Sequence, residues 1–203
     1  MSSTPSSGPS LREIGRDAVR ARITEVALDL FAERGFDEVT VEQIAAAAGM
    51  SGRTFHRYFP AKEDVVVGEP APLGEFVRDA LTARPRDEPV WESLRISFES
   101  VVASHSAHSF VADDRGKLAR RVLDSTASLR ARNLEKHMLW ASMLTPLVTE
   151  RLDGEDTALR AEIIVQSALA CFDVALTTWA DADDDTTVAE LLERSFAALR
   201  PEV

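Results

Sequence analysis

The chain has 203 residues, 45% of them hydrophobic, enough to build a sizeable core in one or two domains. Its net charge of −11 argues against loose coating of nucleic acid, and its single cysteine, Cys171, excludes an intrachain disulfide framework and fits a reducing cytoplasm. No apolar run approaches 18 residues, so no membrane span is expected.

Residues 1–10, MSSTPSSGPS, lack an apolar signal core, and their Ser, Pro and Gly content predicts a disordered arm. A first helix is expected over residues 16–34, where Val19, Ile23, Val26, Ala27, Leu30 and Phe31 recur at spacings of three and four before Gly35 stops it. Arg16, Arg20 and Arg22 near its start fit either a phosphate contact or a solvated face.

Residues 40–62, TVEQIAAAAGMSGRTFHRYFPAK, read as two short helices joined by a tight turn. Thr40 and Gln43 form a T-x-x-Q capping box, Gly49 ends the first helix, and Ser51 is a good N-cap for the second. Alanines 45–48 keep the first helix thin, so the second can cross it closely. Phe55, Tyr58 and Phe59 stand at i, i+3 and i+4 and make one apolar stripe, which leaves Arg53, His56 and Arg57 opposite, Gly52 near them and Thr54 on the flank. A small helix anchored by aromatics and exposing cations has the form of a recognition helix in a major groove. The same pattern also fits an ordinary helical hairpin. Charge does not oppose the first reading: residues 11–64 carry a net −2, the rest of the chain −9, and no acidic residue lies between Gly49 and Lys62.

Beyond Lys62, GEPAP (residues 68–72) predicts a break or sharp kink. Helices are expected over residues 73–83, 90–104, 113–125, 128–152 (interrupted at Pro146), 156–180 and 186–200, with the acidic linker DADDD before the last. No strand-like alternation or internal repeat occurs. The expected fold is therefore all-α with nine or ten helices. An arm (1–10) precedes two helical parts, 11–65 and 66–203.

In the last part, Trp91, Phe98, Phe110, Trp140, Met143 and Phe172 are candidates for a ligand pocket, with Arg121 and His137 to orient a polar end; apolar residues at helical spacing also fit plain core. In the final two helices, small or apolar residues such as Ile164, Ala168, Cys171, Ala175, Leu192 and Phe196 suit a dimer surface or intrachain packing. His105 and His108, near Asp113 and Asp114, form a lone H-x-x-H in a loop, too weak a pattern for a metal site. No catalytic signature, cofactor motif or phosphate loop is present, so no cofactor and no enzymatic activity is expected.

Residues 23–65 resemble the N-terminal DNA-binding domain of the TetR (tetracycline-repressor) family. The resemblance rests on Leu30, Phe31, Gly35 and Phe36, on Thr40, on Ile44, Ala45, Ala48 and Gly49, and on Ser51, Thr54, Phe55, Tyr58, Phe59, Lys62 and Glu63. By that resemblance, residues 11–65 are expected to be a three-helix helix-turn-helix DNA-binding domain and residues 66–203 a helical ligand-binding and dimerisation domain. The resemblance implies a cytoplasmic homodimer that binds double-stranded DNA at a palindromic operator, with recognition helices roughly 34–36 Å apart, and that a small-molecule effector releases. It implies base contacts from Arg53 and His56, and contacts or register-fixing from Thr40, Gln43, Ser51, Gly52, Thr54, Arg57, Tyr58 and Lys62. Gly52 departs from the longer side chains often found there. Residues 59–94 also look like a branch of the family whose C-terminal domain binds acyl-CoA-like ligands. Two rival readings stay open: a DNA-binding regulator whose C-terminal domain takes a protein partner, and an all-helical enzyme.

Overall fold

A computed structural model describes residues 10–103 and 113–199; His105, His108 and Phe110 lie outside them. Ten helices follow in order: α1 (Leu11–Arg34), α2 (Val41–Ala47), α3 (Gly52–His56), α4 (Glu63–Val67), α5 (Pro70–Thr82), α6 (Val90–Ala103), α7 (Asp114–Ser125), α8 (Ala127–Thr149), α9 (Thr157–Asp181) and α10 (Val188–Ala198). No strand occurs among the described residues.

Several ends are set by local chemistry. Thr40 and Thr187 each close a capping box, with Gln43 and Glu190 respectively, and Ser51, Asp113 and Thr126 cap α3, α7 and α8. The expected GEPAP break is shorter than its composition suggests. Gly68, at φ +77°, ends α4, but Pro70 already opens α5. A proline in the first helical turn sacrifices no intrahelical bond, because those N–H groups have no partner there anyway. Pro146 likewise lies inside α8 and does not interrupt it.

Two apolar clusters hold the chain together. One joins Ile23, Ala27, Phe31, Phe36, Val39, Ile44, Phe55 and Phe59 and runs past residue 65 through Val66 and Val67 to Ala119, Val122 and Leu123 of α7 and Leu129 of α8. The other packs α5, α6, α8, α9 and α10 around Phe98, Trp140, Phe172 and Phe196. At its tightest point a Cβ on Gly74 would stand 2.7 Å from the Trp140 ring and 3.0 Å from Met143 Sδ, and Trp140 Nε1 donates to Pro70 O at 2.8 Å. Contrary to the sequence reading, α9 is long and apolar enough by length and composition to cross a bilayer. Its Ala161, Val165, Ala168, Leu169, Phe172 and Ala175 are buried in the second cluster, so packing within the chain accounts for much of that apolarity.

Candidate nucleic-acid interface

The interface is built from a turn and two short helices. The Thr40 hydroxyl accepts from Gln43 N at 3.3 Å while Gln43 Oε1 accepts from Thr40 N at 2.9 Å. Gly49 turns the chain at φ +75°, a conformation that L side chains rarely adopt. Ser51 Oγ then accepts from Thr54 N at 3.2 Å and lies 3.0 Å from the Thr54 hydroxyl. Phe55 and Phe59 are buried, their rings 5.7 Å apart, and tie α3 to α1 and α2. Arg53, His56 and Arg57 are exposed; Thr54 and Tyr58 are half-buried. Arg57 lies over the Tyr58 ring at 5.3 Å. Among the described residues the nearest atom to a Cβ added at Gly52 would be Glu42 Oε1 at 4.0 Å, which leaves the space beside it open.

His56 Nδ1 stands 3.2 Å from Pro60 O, and a carbonyl only accepts, so Nδ1 carries the proton. In the tautomer with its one proton on Nδ1, Nε2 is an acceptor.

Two cations behave differently from expectation. Lys62 Nζ donates to Phe36 O at 2.8 Å and Val39 O at 2.9 Å and lies over the Phe36 ring, so it clamps the α1–α2 connection before it can serve DNA. Arg20 is buried, which removes it from any phosphate. Its Nη1 donates to Tyr58 O at 2.5 Å, reaches Glu69 Oε1 at 2.5 Å and its guanidinium covers the Phe59 ring at 4.2 Å. Desolvation lowers its pKa, with Glu69 opposing. Arg20 therefore joins α1 to the end of the recognition segment and to the α4–α5 junction. Asp64, also buried, accepts from Arg132 of α8 at 2.9 and 3.0 Å and from Ala61 N at 3.0 Å. Sequence reasoning missed both joints.

Residues 23–67 match the family described as bacterial regulatory proteins, tetR family, and residues 88–203 match the MftR C-terminal domain. The second match alone spans more than half of the chain. The chain is a TetR-family transcriptional regulator. It is 29% identical to the HTH-type transcriptional regulator TcmR of Streptomyces glaucescens, over 99% of this chain and 91% of that one. It is 24% identical to the mycofactocin biosynthesis transcriptional regulator MftR of Mycobacterium tuberculosis, over 89% of each. Among solved structures, Thermus thermophilus FadR in complex with lauroyl-CoA is 27% identical, with a TM-score of 0.51 and coverage of 88% of this chain and 91% of that one. Bacillus halodurans FadR, 22% identical with a TM-score of 0.57 and 95% of both chains covered, shares the fold.

In this TetR-family chain the sequence-predicted ligand residues are placed otherwise than expected. Phe98 and Phe172 stack at 5.0 Å, Trp140 lies 6.1 Å from Phe172 and 6.4 Å from Phe98, and all three are buried by one another and their neighbours. The rings themselves fill the space between α6, α8 and α9. Trp91 donates from Nε1 to Phe196 O at 3.0 Å and packs on the Phe196 ring. Met143 is half-buried against α5 beside Gly74. Arg121, exposed, donates to Ala180 O near the end of α9 at 2.9 Å. His137 is half-buried, with Nε2 3.9 Å from Asp173 Oδ1.

The expected dimer residues also need correcting. Ala168, Cys171, Ala175, Leu192 and Phe196 are buried within the single chain, and Ile164 is half-buried against the same core. No partner is needed to cover them. Cys171 donates to Ser195 O at 3.4 Å, and burial raises its pKa. The exposed side of α9 carries Leu159, Ile163, Ala170 and Val174 instead, at steps of four, seven and four, which keep one face of a helix. Beside it, Val174, Leu191 and Leu199 line a shallow groove between α9 and α10.

Proposed function

We propose that this regulator is a repressor that binds a palindromic operator as a homodimer and is released by a small effector. The observation that carries the proposal is the placement of Arg53, His56 and Arg57: three exposed polar side chains on a segment whose two phenylalanines anchor it in the core. Arg53 reads guanine, and His56, with Nε2 as acceptor, faces an exocyclic amine of adenine or cytosine. Thr40, Gln43, Ser51, Thr54, Arg57 and Tyr58 fix the register on the phosphates, and the open side of Gly52 lets the backbone approach closely. Lys62 has one N–H left for a phosphate after its two carbonyl bonds.

The homodimer forms through the exposed stripe Leu159, Ile163, Ala170 and Val174 with the α10 edge at Leu199. TetR-family regulators bind DNA as dimers, which supports this reading, and the protein acts in the cytoplasm. The lauroyl-CoA held by the Thermus thermophilus relative supports an effector for the helical C-terminal part. Selection of bound fragments from random DNA tests the first half: one symmetric site is expected, and enrichment of none contradicts it. Measuring operator affinity with and without candidate effectors tests the second; about 2.7 kcal/mol of differential binding gives a hundredfold release.

The filled aromatic core favours a second reading, in which the C-terminal part takes a protein partner and no small molecule. A panel of effectors that leaves both thermal stability and operator affinity unchanged selects that reading.

A further inference from the structure

Between α7, α8 and α9 lies a cluster of ionisable and amide groups without a task in DNA binding. Arg120, 8% exposed, makes three hydrogen bonds: Nε donates to Asp124 Oδ2 at 2.9 Å, Nη1 to Asp173 Oδ1 at 2.8 Å and Nη2 to the Thr177 hydroxyl at 2.6 Å. The Thr177 hydroxyl itself lies 3.3 Å from Asp124 Oδ2. Asp173 Oδ1 also accepts from Asn133 Nδ2 at 3.1 Å. Both carboxylates are thus committed to Arg120.

Among the described residues, two groups of this cluster are left over. Asn133, 5% exposed, has its Oδ1 buried with no hydrogen-bond partner. Lys136, half-buried and one helical turn further along α8, has no hydrogen bond or ion pair; its Nζ stands 5.4 Å from the Trp140 ring centroid. Residues three apart on a helix share a face, so Asn133 and Lys136 stand on the same side of α8. Desolvation is the largest influence on Lys136 and lowers its pKa to about 8, with Arg120 adding to the effect and Asp173 opposing it. His137 is pushed to about 4, first by burial and then by Lys136, so it is neutral at pH 7 and offers no charge.

A buried acceptor without a donor and a cation without an anion each cost stability, and such pairs of omissions mark a place that an occupant completes. Water satisfies Asn133 but cannot neutralise Lys136. An anionic oxygen at Lys136 together with an O–H or N–H aimed at Asn133 Oδ1 satisfies both. Trp140, over whose ring Lys136 lies, is itself fully buried against Phe98 and Phe172, so an apolar body reaches it only where the Lys136 side chain moves aside.

We propose that Asn133 and Lys136 form the polar end of the effector site, which takes an organic anion carrying a hydroxyl next to its charge and an apolar body. The inference rests on the ligand-responsive reading above.

The test uses the full-length protein with 3-hydroxydecanoate, decanoate and 1-decanol as probes, followed by calorimetry and thermal shift. Wild type is expected to bind 3-hydroxydecanoate most tightly, decanoate less and decanol least. K136M, which keeps the aliphatic stem, is expected to bind both anions at least tenfold more weakly without a matching loss for the alcohol. N133L is expected to lose the preference for the hydroxylated acid. Unliganded K136M is expected to melt no lower than wild type, since it sheds an unpaired charge. Failure of wild type to bind either anion, equal binding of anions by K136M, or a melting point for K136M several degrees below wild type overturns the site; the last would make Lys136 a structural cation. Operator retardation by the same wild-type sample separates the two levels. Retained operator binding with no anion binding removes this site and leaves the regulator, whereas absent operator binding strikes the regulator itself.

Discussion

At the scale of single residues, the two side chains assigned to base edges make different predictions. Arg53→Ala should flatten the preference for guanine at one position per half-site, a loss of about 1–3 kcal/mol of discrimination, read from the enriched sequences. His56→Ala should flatten a different position, at which wild type prefers adenine or cytosine because Nε2 accepts. A keto base preferred there would show that the ring presents a proton instead. Lys62→Met should act mainly on folding, since the ammonium binds two carbonyls of the α1–α2 connection, and a melting curve should register a loss of about 1–3 kcal/mol. The capping residues Thr40, Gln43 and Ser51 were legible in the sequence because their partners lie three residues away. Lys62 and Arg20 were not, because their partners lie 23 to 49 residues away and only the fold brings them close.

At the scale of elements, α9 shows where periodicity stops being informative. It carries small and apolar residues on both faces, so spacing alone could not tell the face packed against α8 and α10 from the exposed one, and the residues expected at a dimer surface lie on the packed face. With the register known, Ile163→Glu combined with Val174→Glu should convert dimers to monomers in analytical ultracentrifugation while the helical circular dichroism of the chain is kept, because both side chains are exposed. The helix-turn-helix was legible almost residue by residue. The α4–α5 junction was legible only in outline, because the composition of GEPAP announces a break without saying that Pro70 and Pro72 fit the first turn of the next helix.

For the whole molecule, the joints between the two apolar clusters matter most. Arg20 with Glu69, and Asp64 with Arg132, link the recognition segment and α4 to the helices that carry the proposed effector site, a route by which occupancy at α8 can reach α3. Stability should also depend on pH through the α8 cluster. His137 has a folded pKa of about 4 against an ordinary 6.5, so the unfolded chain binds the extra proton between these values. The corresponding stability is present above about pH 6.5 and is lost as pH falls toward 4. Lys136 adds a penalty below about pH 8 that fades as pH rises toward 10.5. Melting points of wild type and K136M across pH 7 to 10.5 should therefore converge at the alkaline end, and parallel curves would deny the shifted lysine.

The central claim is that a short helix, held inward by Phe55 and Phe59, presents Arg53, His56 and Arg57 to duplex DNA once per subunit of a symmetric pair. Selecting bound sequences from random DNA with wild type and with the Arg53→Ala, Arg57→Ala double variant, at matched salt, tests it most directly. Wild type is expected to enrich a palindromic site with half-site centres about one helical turn apart, and a double variant of unchanged melting point to enrich none. Wild type enriching no symmetric site, or the double variant selecting the same one, would contradict it.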